Sequence, residues 1–318
     1  MEIDFSKCRV CKPDGNELLA VYHLLREMFP PDRPMYDELI RDQSRLCVFE
    51  SYALYQDDEL LGHVGLVPLK IYWKGRVAEI LGVGAVATPP QHRRKGIINY
   101  LLQHCMQVID QQRLPAFLFT ELPLVYEKHG FKIMPQNYKA ISDNPCQCDC
   151  KIEIKVVDEL TAGHIDEIAD LYEKRCPVYD GKIVKSKESW ELYRMFFNYW
   201  QNSKAVLGFI DGKLAGYARL DLENDRLTII EMCTAGDAVD VSKSLLNCIL
   251  NYKKKLGIGS VSIALPTQHN LWKILQDMKA EVSPEPHGVP REFFMARNAA
   301  GETTGHWDSL EWPLSDKF

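Results

Sequence analysis

No stretch of the 318 residues reaches the ~18 apolar residues in a row that a membrane-crossing helix needs. Residues 1–15 are polar and acidic and lack the charged-then-apolar order of a secretory leader. Together these predict a cytoplasmic protein with no membrane partner. Basic charge has no excess, since 38 Lys and Arg stand against 44 Asp and Glu for a formal net charge of −6. A general nucleic-acid binder carries a basic surface, so no nucleic-acid partner is expected. There is no G-x-x-x-x-G-K-[ST] loop and no G-x-G-x-x-G turn, which argues against an NTPase and a dinucleotide-dependent dehydrogenase. Ten cysteines without a leader read as thiols rather than as a disulfide framework. What the chain does have is 46% apolar residues, enough for sizeable cores, and a length that suits two domains.

The stretch 81–102, LGVGAVATPPQHRRKGIINYLL, organises the rest. It opens as an apolar, β-branched run that reads as a buried strand. Pro89-Pro90 then stops any ladder or helix. The basic run His92-Arg93-Arg94-Lys95-Gly96 follows, and Ile97, Ile98, Leu101, Leu102, Cys105 and Ile109 recur at helical spacing. A helix start leaves backbone N–H groups unpaired and electropositive. Gly96 lets a ligand approach the main chain, and three cations stand beside it. Strand, basic glycine turn and helix therefore form an anion cradle, sized for phosphate or pyrophosphate. A solvated basic turn opening an ordinary helix has the same spacing.

These residues resemble the acetyl-CoA motif of the GNAT acyltransferase superfamily. The likeness rests on Val86-Ala87-Thr88-Pro89-Pro90 and on Arg93-Arg94-Lys95-Gly96-Ile97-Ile98. Ile98 stands where most members have Gly or Ala, as in the Eis-like (enhanced intracellular survival) branch. Phe119-Thr120-Glu121 adds to the likeness. So does Val125-Tyr126-Glu127-Lys128-His129-Gly130-Phe131, which resembles that branch's tyrosine-x-x-x-glycine-phenylalanine motif. The resemblance covers roughly residues 45–135. It implies an α+β (α/β mixed) fold and acetyl-CoA as co-substrate. Val86, Ala87, Thr88, Arg93, Arg94, Lys95, Gly96, Ile97, Ile98, Thr120 and Glu121 would be the cofactor contacts. It also implies that the first helices cover an acceptor cleft reached by Phe29, Met35 and Tyr36.

Along the chain, residues 1–12 supply a first strand, Asn16 caps a helix over 17–29, and a short helix covers 36–42. Strands over 47–55, 60–73 and 77–88 form an antiparallel meander that feeds the helix after Gly96. A strand over 115–120, a short helix over 122–129 and closing strands from Phe131 complete the first domain, residues 1–145. The second half repeats this outline. Strand 152–157 and helices over 162–174 and 186–200 precede the strand pair 205–210 and 214–220. These two runs match 52–55 and 60–66, each pair with a glycine in its second strand. Residues 227–233, 241–256 and 260–265 match the central strand, the helix and the strand after it. The cradle does not recur, because Asp237 and Asp240 stand where a phosphate would sit. Residues 151–300 are therefore expected to be a degenerate GNAT-like domain without cofactor, giving tandem GNAT-like folds of mixed, largely antiparallel sheet. Residues 301–318 are too few for a further core. Trp307, Trp312, Leu314 and Phe318 mark them as a tail that docks near the site.

Acetyl transfer from a thioester to an amine needs a base, an oxyanion donor and an acid for the departing thiolate. The resemblance places Tyr126 at the thiolate as general acid and the terminal carboxylate of Phe318 as base. Glu79, Glu121 and His129 are fallback bases, and a backbone N–H near Val86 serves the oxyanion. The expected activity is N-acetylation of a primary amine on a small molecule, by direct attack. Acetylation of a protein lysine or N-terminus is the alternative within the family, and a non-catalytic acyl-CoA-binding regulator is the alternative outside it. Cys8-x-x-Cys11 and Cys146-x-Cys148-x-Cys150 also raise a thiolate zinc module. The second group lacks C-x-x-C spacing, so no metal is assigned.

Overall fold

The structure is a computed structural model that describes residues 3–42, 49–136, 138–142, 152–199, 202–223, 226–236, 238–284 and 292–299. Among these residues two seven-stranded sheets are each flanked by helices. The first half holds β1 (Cys8–Cys11), α1 (Gly15–Met28), α2 (Arg33–Arg41), β2 (Glu50–Gln56), β3 (Glu59–Trp73) and β4 (Arg76–Ala87). It continues with α3 (Ile97–Gln112), β5 (Ala116–Thr120), α4 (Pro123–Glu127), β6 (Lys132–Ile133) and β7 (Lys139–Ile141). The second half holds β8 (Glu153–Val157), α5 (Ala162–Arg175), α6 (Lys187–Tyr199), β9 (Ser203–Ile210), β10 (Lys213–Glu223) and β11 (Arg226–Thr234). Then come α7 (Val239–Lys255), β12 (Val261–Ile263), α8 (Asn270–Asp277), β13 (Val282–Pro284) and β14 (Phe293–Arg297).

The predicted repeat is present. The sheets run β1-β2-β3-β4-β5-β14-β6 and β8-β9-β10-β11-β12-β7-β13, the same order in both. Gly62 and Gly216 are each the fourth residue of the hairpin's second strand. A Cβ on Gly62 would lie 2.6 Å from Ile97 Cγ2, and one on Gly216 2.7 Å from Val241 Cγ1. Only a bare Cα lets α3 and α7 pack this close to their sheets. The apolar side of α3 (Leu101, Leu102, Cys105, Ile109) buries against Leu54, Leu61, Val64 and Leu66. Helices α1 and α2 cover the other face through Val21, Leu25, Met35, Tyr36 and Leu39.

Sheet membership does not follow the expected boundary at 145–151. Strand β7 crosses to pair with β12 and β13, and β14 returns to pair with β5 and β6. Each half gives its last strand to the other. Residues 181–184 also add a short antiparallel partner to the free end of β3, through Gly181 N–Tyr72 O (2.8 Å), Tyr72 N–Lys182 O (2.9 Å) and Val184 N–Lys70 O (2.7 Å). The expected elements otherwise appear within a few residues. One local difference is the start of α1, where Asp14 rather than Asn16 is the N-cap.

Candidate active site

The site is built where β4 and β5 part. These parallel strands pair only at Leu81↔Ala116 and Gly82↔Phe117, so 83–87 leave the β5 ladder. Near its end β4 carries a bulge. His63 pairs with Ala87 and Gly65 with Gly84, so Ala85 and Val86 together face Val64. Ala85 is left-handed at φ +49°, an uncommon state for a residue with a Cβ.

Thr88, Pro89 and a 3-10 turn at Pro90–His92 lead from β4 to α3. Arg94 (φ +61°) and Gly96 (φ +83°) are left-handed, which curls the main chain ahead of Ile97. Gly96 is the N-cap of α3 and gives no side-chain cap, so the first N–H groups of the helix have no capping side chain. His92 Nε2 lies 2.7 Å from Glu59 Oε1 and ties the loop to the start of β3. Arg93 turns away toward α1, with its guanidinium 3.3 Å from Met28 Sδ. Arg94 and Lys95 make no ion pair among the described residues, and Arg94 is exposed. Thr88 Oγ1 is buried without a hydrogen-bond partner among the described residues.

On the opposite side, Pro123 opens α4, whose fourth residue is Tyr126. Tyr126 is 8% exposed and edge-on to Phe131. Burial pushes its phenol up to about 12, against the opposing hydrogen bond with the Thr120 side chain. Thr120 ends β5 and also takes the Leu122 N–H at 2.9 Å. The turn after α4 is held from the second half. Arg297 of β14 donates to His129 O (2.9 Å) and makes a bidentate pair with Asp110 of α3 (2.7 and 3.0 Å). Gly130 is left-handed, and its missing Cβ would lie 3.4 Å from Arg297 Nε. The tyrosine-x-x-x-glycine-phenylalanine spacing thus has a physical cause. Phe131 packs on Tyr126, and Gly130 makes the turn that admits Arg297.

The fold thus brings Val86, Ala87, Thr88, the 93–98 loop, Thr120, Glu121 and Tyr126 to the parting of two strands. Other expected residues fall elsewhere. Glu79 pairs with Lys70 and lies seven residues before Val86, roughly 23 Å away at the rise of a strand. Met35 and Tyr36 lie on the buried side of α2 and pack into the core against α1. His129 is half-buried, and burial together with Arg297 and Lys128 lowers its pKa. Phe318 and the tail lie outside the described residues, as do Cys146, Cys148, Cys150 and Asp237. Cys8 and Cys11 sit three apart on a strand and face opposite ways. Cys8 packs in the α3 core and Cys11 against α1, so this pair cannot share one ion. Arg297, Asp110 and His63 carried no sequence signal, being single residues far apart in the chain.

The corresponding place in the second half is closed. Pairs 216–219 of β10 run without a bulge against 231–234 of β11. Burial keeps His269 neutral, its pKa lowered to about 4. It accepts from Leu271 N–H through Nδ1 and donates through Nε2 to Met232 O at 2.9 Å. The ring so occupies the edge of β11. Glu231 and Arg219 are buried where the first sheet has Gly84 and Gly65, and Lys182 and Tyr193 bond to Glu231. Asp240 stands in the first turn of α7.

Residues 12–134 match the acetyltransferase (GNAT) domain family. No curated protein matches the sequence. Among solved structures, a GCN5-related N-acetyltransferase from Anabaena variabilis superposes with a TM-score of 0.66 at 17% identity, over 92% of this chain and 72% of that one. Eis1 from Mycobacterium abscessus gives 0.61 at 15% identity, over 92% and 73%. Saccharomyces cerevisiae N-myristoyltransferase with bound myristoyl-CoA gives 0.52 at 12%, over 92% and 83%. At these identities the superpositions speak for the fold. Residues 12–134 are a GNAT acetyltransferase domain, and the chain is an acyltransferase built of two GNAT-like folds.

Proposed function

We propose that the first half moves an acetyl group from acetyl-CoA to a primary amine of a small molecule, by direct attack of the amine. The observation that carries this reading is the parted β4–β5 pair, which opens onto the curled cationic loop and ends beside buried Tyr126. The residues present fit the co-substrate. The unpartnered Thr88 Oγ1 offers a hydrogen bond to a ligand lying along β4. The backbones of Val86, Ala87 and Thr88 would pair with the pantetheine amides. Arg94, Lys95 and the N–H groups of Gly96, Ile97 and Ile98 would hold the pyrophosphate, with Arg93 contributing main chain. Thr120 and Glu121 would flank the arm on the β5 side.

In the transfer itself, the Val86 N–H donates to the thioester oxygen as charge develops there. As the N–C bond forms and the C–S bond breaks, the amine gives up its proton to the base, which we assign to the terminal carboxylate of Phe318. Tyr126, whose raised pKa keeps its proton in place beforehand, protonates the departing thiolate. Direct attack fits the thiols. Cys105 is buried on α3, and burial pushes it up to about 12. The acceptor side is bounded by Met195, Phe196 and Tyr199 of α6, which pack against α1 and α2. A cleft closed on that side suits a small amine. The second half, with His269 on the β11 edge and Asp240 at the α7 start, acts as that wall and binds no co-substrate of its own.

Isothermal titration with acetyl-CoA tests this directly. The wild type should bind, and Arg94→Glu should bind about tenfold or more weakly, because a cation beside the phosphates becomes an anion. A panel of amines followed by thiol release should then give turnover. Folded wild type that binds no acetyl-CoA would end the proposal. Binding without turnover on any amine or peptide would make the protein a non-catalytic acyl-CoA binder, and preference for peptides would move the acceptor to protein.

A further inference from the structure

The bulge in β4 is held by a side chain that belongs to no motif. His63 is the fifth residue of β3 and is fully buried. Its neighbours define its face. The Cβ direction of Gly62 points at Ile97 on α3, whereas that of Gly65 points at Phe49, 3.1 Å from its ring. The His63 ring packs on the same Phe49 at 5.5 Å. It therefore lies on the α1–α2 side, where the amine is expected. Its Nδ1 is 2.8 Å from the Ala85 carbonyl oxygen. A carbonyl only accepts, so Nδ1 carries the proton and Nε2 keeps a lone pair. That Nε2 is buried without a partner among the described residues.

The carbonyl it holds belongs to the left-handed residue of the bulge. A non-glycine residue in this state is strained and persists only where its surroundings hold it. A bulge also turns the adjoining peptide out of the ladder, which re-aims its N–H. The second half supplies an internal comparison. Tyr217, the fifth residue of β10, stands in the place of His63; the ladder opposite it is regular, and the irregularity of β11 comes further on, at Ile230 against Arg219–Leu220. We propose that His63 is a positioning residue for acyl transfer: its Nδ1–H holds the Ala85 carbonyl and so aims the Val86 N–H at the thioester oxygen. This rests on the function proposed above only for the use made of that N–H. The lock itself is a property of the free protein.

Two kinds of measurement separate the two. Nitrogen NMR of the wild type reads the tautomer directly, and a neutral Nδ1–H ring is expected. An Nε2–H ring, or a charged one at pH 7, would overturn the lock whatever the enzyme does. His63→Phe keeps the ring volume without the donor, and His63→Gln keeps a donor. His63→Phe should shift the Val86 amide resonance and lower kcat about 30-fold, less than outright loss of an oxyanion donor. The Kd for acetyl-CoA should stay within about twofold, since the cradle is untouched. His63→Gln should recover most of kcat and the Val86 shift. Wild-type kcat with an unmoved Val86 amide in His63→Phe would sink the idea. So would equal losses in both variants accompanied by loss of acetyl-CoA binding, the pattern of a packing residue. A wild type that shows the Nδ1–H ring and the Val86 response but acetylates no amine would refute the function and leave the lock standing.

Discussion

Tyr126 and Gly96 enter the proposed reaction through opposite properties, one by what its side chain carries and the other by having none. Burial pushes the Tyr126 phenol to about 12, so at pH 9 only about one molecule in a thousand has lost the proton. The sign follows directly. An acid with a raised pKa keeps its proton as pH rises, so an alkaline loss of activity below pH 10 would not come from Tyr126. Tyr126→Phe should lower kcat by about 100-fold, the scale of a general acid. Its Kd for acetyl-CoA should stay unchanged by titration, and unchanged kcat would remove the assigned role. At Gly96 a Cβ would meet Phe5 only at ordinary contact distance, 3.6 Å, so Gly96→Ala tests the φ of +83° alone. It should cost about 1 kcal/mol of thermal stability and weaken acetyl-CoA binding, readable by melting curve and titration. Both residues were legible in the sequence because each sits in a spaced motif. His63 was not, since one histidine in an apolar strand reads the same whether it fills space or holds a carbonyl.

At the scale of elements, what the sequence exposes depends on how local the cause is. The meander of β2, β3 and β4 was legible because the Asp57-Asp58 and Lys74-Gly75 turns and the strand between them lie in one stretch. Asp57 and Lys74 indeed take left-handed φ values there. The second hairpin repeated the signal at Asp211-Gly212. By contrast β14 and α8 carry no local signal of this kind, and nothing in residues 293–297 says that their partner is β5, more than 170 residues earlier. The Cys8-x-x-Cys11 spacing misleads for an elementary reason: on a strand an odd separation puts two side chains on opposite faces. The same non-local packing supports the site. Helix α4 is five residues long, too short to hold itself in water, and Arg297 fixes the turn behind it through His129 O and Asp110. Breaking this half-buried bidentate pair should cost about 1–3 kcal/mol. Arg297→Ala and Asp110→Ala should each lower the melting temperature and kcat. The double variant should lose much less than the sum, which shows the coupling. Strict additivity in a double-mutant cycle would remove the clamp.

At the scale of the whole molecule, the two halves cannot be parted without leaving each sheet one strand short. β14 lies between β5 and β6, so a fragment that ends at residue 145 has β5 with a bare edge and β6 with no partner. It also loses the 181–184 partner on β3, the cover of α6 over α1–α2, and the Arg297 clamp behind Tyr126. β5 is buried almost throughout and apolar, the kind of bare strand edge that drives aggregation. The duplication therefore does more than supply the wall proposed above, because exchange of the last strand makes the second fold part of the frame that holds β5 and the turn behind Tyr126. Residues 1–145 expressed alone should aggregate or give a broad, non-cooperative melt, and should bind no acetyl-CoA. Residues 146–318 lack β7, and so leave β12 and β13 apart, and should fail in the same way. Produced together from separate reading frames, the two pieces should co-purify as a one-to-one complex that binds acetyl-CoA with nearly the full-chain Kd, since each supplies the strand the other lacks. A monomeric 1–145 fragment with a sharp melt and full-chain affinity would mean that β14 is dispensable and that the exchanged strands are ornament on an independent first domain.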